Sequence, residues 1–252
     1  METKVEGIVV KELRFKETSK ILTIYTNKYG KISAMARGAY NPKSSLIAST
    51  QSFSYNEYSL YKGRNFYYIN QADVIDSFYS IREDINRMMY GSYLLELINL
   101  STVEEDRNEK LFFLLLKGLS ILSKTKKSFL KLILSYELKY ISFLGYRPSL
   151  DRCIVCNRED FKKIKFSINK GGIICPSCQS IEPYCEYMDF DMYKAMKMLL
   201  YTPLDQVFAI NISGDTMFKL HEIMVKYILN KIERKQFNSL KMLGSMEKNG
   251  GV

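Results

Sequence analysis

The chain has 252 residues and no tryptophan, and its only histidine is His221. Acidic residues are also in deficit, with 27 Asp and Glu against 37 Lys and Arg, for a net charge of +10. Each shortage excludes something. No P-loop, GxGxxG or HExxH stretch is present, so the commonest nucleotide and metalloprotease motifs are missing. His221 follows the cysteines instead of preceding them in an H-x-E arrangement, which removes the nucleobase-deaminase pattern. The acidic run Glu104-Glu105-Asp106 lies in a polar connection and reads as solvated loop charge. No nucleophile or acid/base pair assembles from the remaining residues. Long apolar runs are lacking as well. Leu111 to Leu122 is the most apolar stretch, but it contains Lys117 and is too short to span a bilayer. The start, METKVEGIVVKEL, has no apolar h-region, so no signal peptide is expected and the chain is expected in the cytoplasm, with no membrane partner.

What is present divides in two. Up to about residue 80 the pattern is that of strands: Val5–Leu13, Ile21–Thr26, Lys31–Ala36, Tyr55–Tyr61 and Phe66–Ile69, joined by Gly- and Asn-bearing turns. Five short strands of this kind predict a small barrel. Residues 37–50 form a loop or short helix between the third and fourth. From residue 80 the period becomes helical. Ile81, Ile85, Met88 and Leu95 mark one face, Leu111–Leu122 a central helix, and Phe129 to Leu144 a stripe ending at Gly145 and Pro148. Phe190–Tyr201 and Asp215–Ile232 are further helices. The tail 246–252 is polar and reads as frayed. The expected fold class is therefore α+β multidomain: a barrel over 1–80, a helical domain over 81–150 and 187–245, and a cysteine module over 151–186 inserted between the two helical parts.

The module contains Cys153-Ile-Val-Cys156 and Cys175-Pro-Ser-Cys178, separated by 18 residues. Two CxxC turns at this spacing supply a tetrahedral sulfur cage for one structural zinc ion. Disulfides conflict with a reducing compartment, and a thioredoxin-like centre needs one CxxC opening a helix, not two matched pairs. Lys165–Ile168 and Gly171–Ile174 read as the arms of a hairpin leading to the second pair. Cys185 is a spare that reads as a small apolar residue.

Cations cluster in three places. Lys28, Lys31, Arg37, Lys43, Lys62 and Arg64 face only Glu57 between residues 27 and 70, and aromatic residues including Tyr40 interleave with them. Cations for phosphates and rings for bases are what an OB-type groove uses on single strands. The second cluster includes Lys124, Lys126, Lys127 and Lys131, and the third Arg234 and Lys235; either is a possible DNA or partner contact. A solvated surface is the competing account of all three. The same parts would also serve an RNA- or transcription-associated OB/zinc-ribbon protein.

The stretches EGIVVKELRFKETSKILTIYTNKYGKISAMARGAYNPKS, LYKGRNFYYINQADVIDSF, REDINRMMYGSYLLEL, LGYRPSLDRCIVCN and FNSLKML together resemble the bacterial recombination mediator family RecO, from about residue 5 to 243. The resemblance implies an N-terminal OB fold, a helical domain and a zinc module. It implies a non-enzymatic role in recombinational repair: binding single- and double-stranded DNA, annealing complementary strands and, with RecR, loading RecA onto gaps covered by single-strand-binding protein, whose C-terminal tail would dock on the helical domain. A nucleoid-associated location follows from that role. The family's basic loop maps onto Arg37 to Ser44, with Tyr40 where a basic residue is common and Ser52 where proline is common.

Overall fold

The computed structural model describes residues 2–126, 128–159, 163–182 and 184–241. The tail from 246, expected to fray, and Lys127 lie outside the described residues. The chain forms two compact units, one running to Thr125 and resuming at Phe237, the other spanning Lys126–Gln236.

In the first unit, five strands close into a barrel in the order β1-β2-β3-β5-β4: β1 Glu2–Phe15, β2 Ser19–Thr26, β3 Gly30–Ala36, β4 Tyr55–Lys62 and β5 Tyr67–Asp76. All neighbours are antiparallel except β3 and β5, which run parallel. This is the expected OB-like barrel. Alternation along β2 and β3 sends Leu22, Ile24, Ile32 and Ala34 into a core shared with Val5, Val9, Tyr58 and Leu60. Strand β5 runs seven residues past the expected end at Ile69, because Ala72–Asp76 pair with Tyr55–Tyr58 of β4 although their side chains are mostly exposed. Backbone pairing, not burial, sustains that half of the strand.

The helical face expected through Ile81, Ile85 and Met88 is interrupted. Helix α1, Tyr79–Glu83, stops at Asp84, whose extended backbone and side chain cap α2, Ile85–Ser101, by accepting from the Arg87 N–H at 2.9 Å. Ile81 is fully buried, whereas Ile85 is exposed and α2 packs through Met89, Tyr93, Leu94, Leu97 and Ile98 instead. Helix α3, Glu109–Lys124, is capped by Asn108. The returning stretch closes this unit: Phe237 packs edge-on against Tyr93, and Glu96 accepts from the N–H groups of Asn238 and Ser239 at 2.9 Å each.

The second unit is built on α4 Phe129–Phe143, α5 Phe190–Tyr201 and α6 Gly214–Lys231. Helix α4 is buried on nearly every side from Lys131 to Leu138. It ends in a Schellman motif: Gly145 has φ 92°, Tyr146 N–H donates to the Ile141 carbonyl and Gly145 N–H to the Ser142 carbonyl. A small antiparallel sheet in the order β7-β6-β8 completes the unit, formed by β6 Ile164–Ser167, β7 Gly172–Ile174 and β8 Cys185–Met188. The hairpin β6–β7 was expected; the third strand was not.

Candidate metal centre and nucleic-acid interface

The first CxxC turn folds back through the Asn157 N–H to the Cys153 carbonyl at 2.9 Å and the Cys153 N–H to the Arg158 carbonyl at 2.8 Å, with Asn157 at φ 60°. The second is a short 3-10 turn, Pro176–Cys178, at the end of β7. The free edge of β7 is covered by residues 149–154: Ser149 N–H donates to Gly171, Ile173 N–H to Ser149 and Ile154 N–H to Ile173. This ladder carries Cys153 and Cys156 to Cys175 and Cys178.

The sulfur atoms of Cys153, Cys156, Cys175 and Cys178 all lie within 4.8 Å of one another. Cys156 Sγ and Cys175 Sγ are 3.7 Å apart, too far for a disulfide and close to the edge, about 3.8 Å, of a tetrahedron with metal–sulfur bonds of about 2.3 Å. Burial opposes ionisation of the Cys153 thiol, yet backbone N–H groups of Cys175, Cys156 and Val155 bring it down to about 6. Four clustered sulfurs in a pre-shaped cage can hold a metal ion, and with all four engaged the site is closed, as structural sites are. Cys185 stands outside the group: it opens β8, its Sγ donates to the Glu182 carbonyl at 3.2 Å, and burial raises its pKa.

On the barrel, two cation–aromatic clusters form. Arg37 lies 4.7 Å over the Tyr68 ring, and Tyr68 stacks on Tyr61 with centroids 5.0 Å apart and an 11° tilt. Tyr40, 43% exposed, is flanked by Arg14 at 5.4 Å and Lys20 at 5.0 Å. Neither Arg14 nor Lys20 was expected there. Their signal was the pairing of Arg14 with Lys20 across β1 and β2, readable only once the register is known. Lys20 also pairs with Glu12, and Glu12 accepts from the Ser52 N–H at 3.2 Å, a bond that a proline at this position could not make. The loop bearing Arg37, Tyr40 and Lys43 is pinned from below by a buried network: Tyr58 OH donates to the Ser49 carbonyl at 2.8 Å, and Asn56 Nδ2 donates to Tyr58 OH at 2.7 Å.

The other expected contacts differ in their placement. Lys28, Lys43 and Arg64 are exposed on turns and the loop. Lys31 donates to the Asn99 carbonyl at 2.8 Å, and Lys62 pairs with Glu105 at 2.5 Å. Lys124, Lys126, Arg234 and Lys235 are exposed. Lys131 is a correction: it is buried, and its Nζ donates to the Ile210 carbonyl at 2.6 Å. Lys139 likewise turns inward and caps the C-terminal carbonyls of α5 at Leu199, 2.9 Å away. Both sit on a helix whose whole girth is packed, so their amines find carbonyls, not solvent. The lone histidine is half-buried and has a partner: His221 Nδ1 lies 3.0 Å from Glu137, which is fully buried.

Residues 1–78 match the family model described as Recombination protein O N terminal, and residues 82–241 match Recombination protein O C terminal. The chain belongs to the RecO family of DNA repair proteins. It is similar to the DNA repair protein RecO of Alkaliphilus metalliredigens, 34% identical over 96% of this chain and 98% of that one. The RecO of Acetivibrio thermocellus is 32% identical over 97% of both. The boundary between the two RecO segments falls at the start of α1, where the period changes from strand to helix. No helix among the described residues is long and apolar enough to cross a membrane.

Proposed function

We propose that this RecO-family chain is a non-enzymatic cytoplasmic mediator of recombinational repair. In this reading it binds single- and double-stranded DNA, anneals complementary strands and, with RecR, helps RecA onto gaps coated by single-strand-binding protein. The observation that carries the reading is the OB-like barrel bearing exposed guanidinium groups directly against exposed or half-buried tyrosine rings, Arg37 over Tyr68, which stacks on Tyr61, and Arg14 with Tyr40. Such pairs offer phosphate neutralisation and a stacking platform at one place. Holding two strands on one cationic surface lowers their mutual repulsion, and released counterions drive the binding. Lys28, Lys43, Arg64 and the exposed Lys124, Lys126, Arg234 and Lys235 add sequence-independent phosphate contacts.

One zinc ion, held by Cys153, Cys156, Cys175 and Cys178, would have a structural role. A three-stranded sheet of strands three to four residues long cannot bury a core of its own. The acidic, apolar-ended tail of single-strand-binding protein is the expected ligand of the helical unit. The decisive experiment measures annealing of complementary strands coated with single-strand-binding protein, with and without RecR. Annealing accelerated by the chain supports the reading; no acceleration at low salt refutes it. Competition with matched RNA strands separates DNA from RNA as the preferred ligand.

A further inference from the structure

Between α2 and α3 the chain crosses the barrel as an acidic strap, Thr102-Val-Glu-Glu-Asp-Arg-Asn108. Strand β3 pairs with β5 only at Ala34–Tyr67 and Met35–Tyr68, which leaves its first residues without a β5 neighbour. The strap runs alongside them: Glu105 N–H donates to the Lys31 carbonyl at 2.8 Å, and a single parallel bridge joins Lys31 to Glu104. Its side chains then take the barrel's polar groups. Ser33 Oγ donates to Glu104 at 2.6 Å, while Lys62 Nζ and Tyr67 OH both donate to the same oxygen of Glu105, at 2.5 and 2.9 Å. Those two bonds, Lys62 first, hold the Glu105 carboxyl below its usual range. A lysine and a hydroxyl converging on one anionic oxygen is also how a backbone phosphate is held.

Two clefts flank the Glu105 carboxylate. One, of about 320 Å³, is lined by Thr3, Tyr29 and Leu60; the other, of about 120 Å³, by Ser33, Arg64 and Phe66. Lys62, Tyr67 and Glu105 line both. Tyr29 and Tyr67 have ring centroids 5.7 Å apart, so the larger cleft has aromatic walls. Because Glu105 stands between them, lifting the strap would open the two clefts into one lane from Tyr29 past Tyr67 and Lys62 to Arg64. The strap is also poised to lift. Glu105 sits at φ 58°, a left-handed conformation that costs a non-glycine residue free energy, and both Lys62 and Glu105 keep their side chains about half exposed to screening solvent.

We infer that the Glu104–Glu105 strap is a built-in competitor for single-stranded nucleic acid. The Glu105 carboxylate fills a phosphate subsite made by Lys62 and Tyr67, and a bound strand displaces it. This rests on the barrel's binding nucleic acid, as proposed above, and adds a regulated lane to it.

The test uses the full chain and a fluorescein-labelled oligothymidylate, with anisotropy read across a salt series. Glu105→Gln, alone and with Glu104→Gln, binds several-fold tighter at low salt, and the slope of log K against log salt steepens by roughly 0.7 for each phosphate newly contacted. Loss of negative charge anywhere on the surface would also tighten binding, so two further variants decide the matter. Gly30→Ala changes no charge, but its Cβ would lie 2.0 Å from the Asp106 carbonyl oxygen and must push the strap away; it too tightens binding. Lys62→Ala weakens binding more in the Glu105→Gln background than in the parent, because in the parent Lys62 is already engaged. Unchanged slopes together with additive Lys62 and Glu105 effects, in a parent that binds, overturn the competitor alone. A parent that fails to bind at low salt overturns the nucleic-acid reading and this inference with it. If Gly30→Ala fails to fold, the Lys62–Glu105 cycle still decides.

Discussion

Gly171 closes the turn between β6 and β7, at φ 68°, and a Cβ there would sit 2.1 Å from the Tyr227 hydroxyl and 2.8 Å from its ring carbon. Tyr227 cannot yield easily: it is buried, and its hydroxyl donates to the Tyr146 carbonyl at 2.8 Å. Gly145 also has positive φ, 92°, but a Cβ there meets nothing within 4 Å. The two glycines therefore separate backbone strain from crowding. Gly145→Ala should cost only the left-handed penalty, about 1–2 kcal/mol. Gly171→Ala should add an overpacking penalty of about 1–3 kcal/mol, for about 2–5 kcal/mol in all. Urea unfolding followed by tyrosine fluorescence, clean in a chain without tryptophan, and by circular dichroism would measure both. Tyr227→Phe should recover part of the Gly171→Ala loss while leaving the Gly145→Ala loss unchanged. Equal destabilisation by the two alanines, or no coupling between positions 171 and 227, would refute the crowding argument.

Elemental analysis should find close to one zinc per chain. Cys175→Ser should lower that content and the order of the β6–β8 sheet, and zinc retention should weaken as pH falls, because the ligands bind as thiolates. Arg37→Ala should weaken DNA binding and flatten its salt dependence, whereas Lys131→Ala should leave the salt slope unchanged and lower the unfolding midpoint, since it orphans the Ile210 carbonyl. Asp84→Ala should cost about 1 kcal/mol by uncapping α2, a loss visible in the same urea titration, with little change in DNA affinity.

The barrel was readable because alternation and turn residues are local signals: the stretches around Ile24 and Ile32 announce β2 and β3 unaided. The four-cysteine cluster was readable because two CxxC turns carry their geometry in their spacing. Features resting on distant partners were not. Strand β8, Cys-Glu-Tyr-Met, has no alternation of its own and exists because β6 offers an edge. Lys131 looked like a surface cation because its acceptor, Ile210, is remote in sequence. Glu104 and Glu105 looked like solvated loop charges for the same reason, with Ser33 and Lys62 as their hidden partners. The break at Asp84 was masked by the i, i+4 spacing of Ile81 and Ile85, which a continuous helix and two abutting helices share.

Phe237 and Ser239 complete the first compact unit by packing on Tyr93 and bonding Glu96. During synthesis, the barrel and helices α1 to α3 therefore leave the ribosome before the second unit, yet wait for Phe237 and Ser239, made after it, before the first unit is finished. The whole of the second unit has to be translated in between. Until then the Tyr93 face is uncovered, so a stalled or shortened chain would damage the part of the molecule that was made first.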